Sequence, residues 1–249
     1  MKQFSILFLL LAAIACQEQP KQADAQAIVD RAIAVACNDN CEYATIDFTF
    51  RDRCYISQRK GGLYQFERIT HDSTGITRDV LTNDGFERYH NEKQIAVADT
   101  MAAKYANSVN SVLYFAQLPY GLNAPAARKT YLGESLINGN SYHEIEVRFT
   151  EEGGGKDFDD VFVYWIRQDN YQVDFLAYSY STDGGGIRFR EAFNPREVEG
   201  IRFVDYRNYK PLSLKVALQN LDELFMAGDL KLLSTIETEA VGVELKAAL

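Results

Sequence analysis

From Tyr43 to Val97 apolar and polar residues alternate with a period of two. Ile46, Phe48 and Phe50 fall on one face and Thr45, Asp47 and Thr49 on the other, which predicts a strand with one buried face. Gly61-Gly62, Asp72-Ser73-Thr74-Gly75 and Asn83-Asp84-Gly85 punctuate this run as tight turns. Leu63–Thr70 alternates again, and Phe86–His90 and Gln94–Val97 straddle Asn91-Glu92-Lys93, completing a predicted meander of five strands. The period changes at Ala98. Over residues 98–118, Met101, Tyr105, Val109, Val112 and Ala116 form one helical stripe, with Asp99 placed to cap its start and Pro119 and Gly121 to end it. Period two then resumes through Lys129–Ile137, Asn140–Thr150, Val161–Arg167, Tyr171–Ser181, Ile187–Phe193 and Ile201–Tyr209, six more predicted strands. Asn138-Gly139 marks a hairpin between the first two. Val161–Arg167 is apolar on both faces, the pattern of a strand covered on both sides, and Val173 and Phe175 are assigned to one face of the next. A short helix over about Ala25–Ala36, with Asp24 as its N-cap, precedes the strands, and helices over about 214–226 and 229–238 follow them.

The expected fold class is therefore mainly β with helices (α+β). About eleven antiparallel strands form one curved sheet, which must curl strongly, since long open twisted sheets are uncommon. The amphipathic central helix buries its stripe best on the concave face, giving an incomplete barrel over residues 25–210 and a helical segment over residues 211–249. Phe48, Phe50, Val173, Phe175, Phe189, Phe193 and Phe203, with Tyr105, Val109 and Val112 from the helix, are the expected lining of that face. An apolar concave surface left uncovered by the helix would bind something apolar. Sheet core accounts for most of the 15 Tyr and 15 Phe, because aromatics favour strands.

The first residues read differently. Lys2 supplies a positive start, Phe4–Ile14 is apolar apart from Ser5, and Ala13-Ile14-Ala15 precedes Cys16. Such a run is too short to span a bilayer and has the flanks of a secretory signal. With a cysteine at the cleavage point it resembles a bacterial lipoprotein signal. That resemblance implies a signal peptide over residues 1–15, acylation of Cys16 and membrane attachment through its acyl chains. It also implies handling by the lipoprotein processing and sorting machinery. Residues 16–24 are polar and aperiodic, a flexible tether. Gln17 stands where enterobacterial lipoproteins retained at the inner membrane carry aspartate. The periplasmic face of the outer membrane is therefore the favoured site in the cell envelope. The net charge of −9, with acids and bases interspersed, argues against nucleic-acid binding.

Candidate chemistry is sparse. Cys37 and Cys41, four apart in CNDNC, are the candidate pair for a small disulfide loop, pairing of either with Cys54 is also open, and buried or free thiols are the remaining alternative. The glycine-rich turns Gly153-Gly154-Gly155 and Gly184-Gly185-Gly186 fall on the same rim of a meander. They carry Glu151, Glu152, Lys156, Asp157, Asp183 and Arg188, with Asp159 and Asp160 close by. Clustered carboxylates suit a hard cation or a catalytic acid, whereas glycines that permit bulged hairpins with solvated acids explain the same residues. Asp52 and Glu191 sit among apolar residues of predicted strands, as buried acids, as interior ion pairs, or as acids that a bulge turns outward. His71, His90 and His143 lack metal-ligand spacing, and no Gly-x-Ser-x-Gly, His-Glu-x-x-His or dinucleotide glycine pattern occurs. No metal site, cofactor or catalytic residue is assigned.

The strand-helix-strand order over about residues 25–210 resembles the LolA/LolB lipoprotein-carrier fold, an unclosed antiparallel barrel with a helical lid. Phe50-Arg51-Asp52-Arg53, Leu81-Thr82-Asn83-Asp84-Gly85-Phe86, Asn107-Ser108-Val109-Asn110-Ser111-Val112 and Leu118-Pro119-Tyr120-Gly121-Leu122-Asn123 resemble an uncharacterised family of Bacteroidota lipoproteins, as does the stretch from Gly153 to Ile166. The carrier resemblance implies a half-barrel cavity for a lipid or an acylated protein, held by an anchored and non-catalytic protein. An envelope enzyme working through the acidic rim, and a scaffold lipoprotein with a filled barrel, are the competing expectations.

Overall fold

In a computed structural model, which describes residues 23–152 and 158–246, fourteen strands form two antiparallel sheets of seven. The first sheet contains β1 (Ala44–Phe50), β2 (Arg53–Lys60), β3 (Leu63–Asp72), β4 (Gly75–Thr82), β5 (Gly85–His90) and β6 (Lys93–Ile95) in chain order. The second contains β7 (Ala127–Ile137), β8 (Asn140–Phe149), β9 (Val161–Arg167), β10 (Val173–Tyr180), β11 (Gly186–Val198) and β12 (Ile201–Pro211). The last two strands connect the halves. β13 (Leu230–Ile236) pairs with β12, and β14 (Glu239–Leu245) pairs with β1, so the chain steps from the edge of one sheet to the edge of the other. Neither sheet closes on itself.

Two helices lie between the sheets. α1 (Ala25–Cys37) starts at Asp24, whose carboxylate accepts a hydrogen bond from the Gln26 amide at 3.0 Å. Its Ile28, Val29 and Ala32 pack on Ile145, Val147, Tyr164 and Tyr206 of the second sheet. α2 (Asp99–Ala116) buries Val109 and Leu113 against Ala44, Ile46, Phe48, Tyr55 and Phe66 of the first sheet. A third, shorter helix, α3 (Leu221–Ala227), covers the opposite face of the second sheet. There Leu221 and Phe225 meet Trp165, Phe175 and Phe189. The second sheet is thus apolar on both faces, which is why β9 shows no alternation of polarity. Cys37 and Cys41 are joined by a disulfide at the end of α1, and Cys54 is free.

Several expectations need correction. The strands number fourteen in two sheets, not eleven in one. The additional hairpin lies at Phe50-Arg51-Asp52-Arg53, where Arg51 takes φ 58° and Phe50 pairs with Arg53. No glycine or asparagine marks this turn, so the alternation runs through it unbroken. Asp52 consequently projects into solvent, with its side chain 80 % exposed, and is not a buried acid. The residues expected to be helical over 229–238 form β13, and β14 follows, so the C-terminal segment is only partly helical. Leu230, Leu232, Leu233 and Ile236 satisfy both periods. The free edge of β12 supplies the backbone partners that decide for strand. Asp99 is the first residue of α2, not its cap, which is Ala98. A bulge between Val173 and Phe175 puts these two residues into separate cores on opposite faces.

Candidate functional site

A cavity of about 670 Å³ separates the inner faces of the two sheets beside α2. Phe50, Arg59, Tyr64 and Phe66 line it from the first sheet, and Asn110, Ser111, Val112, Tyr114, Phe115 and Ala116 from α2. Phe149, Phe162, Tyr178, Tyr180, Val204 and Tyr206 face it from the second sheet, with Ile236 and Thr238 at the crossing into β14. The aromatic rings are in contact with one another. Phe115 lies 5.2 Å from Tyr178, Phe162 5.6 Å from Tyr178 and Tyr114 6.0 Å from Phe162. The volume falls within the roughly 300–1,000 Å³ typical of small-ligand sites.

The polar groups of this wall are chiefly phenols and guanidiniums. Tyr114 and Tyr164 share a hydroxyl–hydroxyl hydrogen bond of 2.8 Å between α2 and β9. Burial pushes both phenols well above their ordinary range, and that of Tyr206 up to about 12. They therefore stay protonated at neutral pH and offer hydrogen bonds, not acid–base chemistry. Arg59 donates to Gln117 at 3.2 Å and lies over the rings of Phe66 and Tyr120, at 4.8 and 4.7 Å. Arg188 donates to the Tyr180 hydroxyl at 2.6 Å, and Arg190 to the Tyr178 hydroxyl at 2.8 Å. Gly186 makes room for the former pair, because a Cβ there would stand 2.7 Å from the Tyr180 hydroxyl.

α2 is held over the cavity by a buried ionic cluster. Register aligns Arg68 of β3, Asp79 of β4 and Arg88 of β5 on the face beneath the helix. Asp79 accepts two hydrogen bonds from each arginine. Arg68 also donates to Ser108 of α2 at 2.8 Å, and the Arg88 guanidinium lies 3.4 Å from the Tyr105 ring centre. A carboxylate so enclosed is tolerable only because its lone pairs are filled and two cations surround it.

Comparison with known proteins fits this architecture. The model of a family of unknown function, DUF6503, matches residues 2–238. The chain belongs to DUF6503. No curated protein matches it. Among solved structures, a DUF1329 family protein from Desulfovibrio piger ATCC 29098 superposes with a TM-score of 0.51 at 12% identity, covering 87% of this chain and 92% of that one. A LolA superfamily protein from Nitrosomonas europaea gives 0.50 at 12% identity, covering 90% and 94%. These likenesses concern the fold alone.

The residues expected to line the concave face scatter. Phe50 and Val112 border the cavity. Phe48, Val109 and Phe203 are packed in the core between α2 and the first sheet, and Val173 in the core beneath α1. Phe175 and Phe189 face away from the cavity, under α3. Phe193 lines a smaller, polar cleft of about 320 Å³ together with Arg167, Asp174 and Arg202. Tyr105 sits beneath Arg88 and beside Phe86, at 6.1 Å. On the rim, the register puts the turns after β8 and β10 at the same end of the sheet, and Arg188 points into the cavity. Glu151, Glu152 and Asp159 are exposed. Cys16, Lys156 and Asp157 lie outside the described residues, as does the side chain of Asp183. Glu191 pairs with Arg207 on the neighbouring strand at 3.2 Å, but the two side chains are 22% and 41% exposed, so it is neither a buried acid nor an interior ion pair. Among the described residues no cluster of His, Cys, Asp or Glu could hold a metal ion, and no helix is long and apolar enough to cross a membrane. Arg59, Tyr114, Phe115, Tyr178, Arg190 and Tyr206 were missed. An inner-face assignment one residue out of step selected Phe189 and Glu191 where Arg188 and Arg190 face inward.

Proposed function

We propose that this DUF6503 protein is a lipid-anchored lipoprotein of the cell envelope that holds an apolar ligand between its two sheets. The ligand is a lipid or an acylated protein. The observation that carries this reading is the 670 Å³ cavity walled by aromatic rings, an apolar volume that the fold leaves unfilled although α2 packs beside it. A filled barrel would have no such space, and of the rim acids of the enzyme reading Glu151, Glu152 and Asp159 are exposed, while Asp160 is buried at the cavity wall. The cavity wall offers hydrogen bonds and cations but no histidine and no cysteine. Its natural work is binding.

Acylation at Cys16, the tether over residues 16–24, a place on the periplasmic face of the outer membrane and kinship with Bacteroidota lipoproteins belong to the same proposal. They are supported by the apolar run that ends in Ala13-Ile14-Ala15-Cys16. A domain held by acyl chains acts as a fixed receptor, holder or donor, since two or more chains anchor far more firmly than one. The test is native mass spectrometry of residues 17–249, which retain every described strand and helix, purified without detergent. Co-purified lipid that is released on unfolding is expected. Ligand-free protein that also fails to take up a hydrophobic fluorophore contradicts the reading.

A further inference from the structure

The cavity wall sets two arginines of β11 among its aromatic rings. Arg190 is 8 % exposed, and its guanidinium lies 3.9 Å from the Phe115 ring centre and 5.1 Å from that of Tyr178. Among the described residues its hydrogen bond goes to the Tyr178 hydroxyl, and its Nε–H is buried with no partner. Two residues along β11, Arg188 faces the same cavity and, among the described residues, donates to the Tyr180 hydroxyl and to the backbone carbonyl of Ile187. None of the ion pairs among the described residues includes Arg188 or Arg190. Of the nearby acids, Glu191 is turned to Arg207, Asp205 to Arg196 and Asp174 to Arg167, and Asp160 also borders the cavity. A guanidinium carries five donors in a planar fork, and a buried one with open donors is costly unless an anion completes it.

We propose that the cavity takes a single-chain amphiphile with an anionic oxygen head, a carboxylate or a phosphate ester. The head lies against Arg190 and Arg188, and the hydrocarbon fills the aromatic space towards Phe162 and Val112. This rests on the binding reading above and specifies its ligand class. Size agrees with one chain. At about 30 Å³ per non-hydrogen group, the share of one water in the liquid, the cavity holds on the order of twenty such groups.

The experiment measures displacement of a hydrophobic fluorophore from residues 17–249 by palmitate, lysophosphatidic acid, hexadecanol and hexadecyltrimethylammonium. Both anions are expected to bind at least about tenfold more tightly than the neutral alcohol, and the cation more weakly still. Palmitate ahead of lysophosphatidic acid assigns a carboxylate head and the reverse order a phosphate. Either order supports the proposal if both lead hexadecanol. Arg190→Met is expected to erase that lead. Arg188→Gln, at the more open end of the pair, is expected to reduce it. Equal affinity for anions and alcohol in the wild-type protein overturns the anionic head but leaves apolar binding standing. No displacement by any of the four overturns the binding reading itself.

Discussion

Replacing Asp79 by alanine removes the centre of the cluster that holds α2 to the first sheet. The side chain of Asp79 is 1 % exposed, and those of Arg68 and Arg88 are 7 % and 16 % exposed. The substitution therefore strands two guanidiniums in a protein interior, with water reaching only the second. Breaking a buried pair by removing one partner costs about 3–5 kcal/mol, because the remaining charge stays desolvated. Against a total stability of about 5–15 kcal/mol this is a large fraction. For a chain of this size it lowers the melting temperature by about 6–20 °C, at about 2–4 °C per kcal/mol. Urea unfolding of residues 17–249 should show an earlier midpoint at unchanged slope. Amide exchange should accelerate over Asp99–Ala116 before it does in β9–β11, because Ser108 and Tyr105 lose their anchors together. The matching apolar variant, with Asp79→Leu, Arg68→Met and Arg88→Met together, should recover most of the loss, since no charge is then left unpaired. An Asp79→Ala protein within about 1 kcal/mol of wild type would refute the reasoning, because the arginines would then be solvated or otherwise paired.

The Tyr114–Tyr164 hydrogen bond makes a double-mutant cycle. Tyr114→Phe and Tyr164→Phe should each cost about 1–3 kcal/mol by leaving the other hydroxyl buried alone, and the double variant should cost less than the sum of the two. Additive losses in urea titrations would show that the hydroxyls do not depend on each other. Asp222 of α3 carries a carboxyl whose pKa burial raises above 3.8. Its contribution to stability is therefore full below the unfolded pKa and is lost as pH rises through the folded one. Asp222→Asn removes that loss and keeps an acceptor for the Glu223 amide, so its melting temperature should gain on wild type between pH 4 and pH 7. A constant or shrinking difference over that range would contradict the assignment.

Much of the second sheet is written in the chain's period. β7–β12 coincide closely with six alternating runs, and Asn138-Gly139 turns β7 into β8 where a type I′-like dipeptide should. What stayed hidden has two physical sources. Strands that are apolar on both faces carry no sign of which face is inner, so Phe175 was indistinguishable from Leu176, and on β11 the apolar face of Ile187 and Phe189 lies under α3 while Arg188 and Arg190 face the cavity. Local pattern also cannot report what a distant edge requires. β13 and β14 exist as strands because β12 and β1 offer free backbone groups, about twenty and two hundred residues away in the chain. The candidate site inherits both effects. Phe50 and Val112 could be read from periodicity, whereas Arg190 lay on the face assigned to the exterior, and only its surroundings mark it.

The central claim is that the space between the sheets is a ligand site. Val112 borders it from α2, and an indole at that position would take up part of its volume. Titrating a hydrophobic fluorophore into wild-type and Val112→Trp protein, with melting curves confirming that both are folded, tests the claim most directly. Saturable binding of one fluorophore to wild type, weakened at least about tenfold in Val112→Trp, is the predicted result. Equal binding by the two proteins, or no saturable binding by wild type, would contradict it.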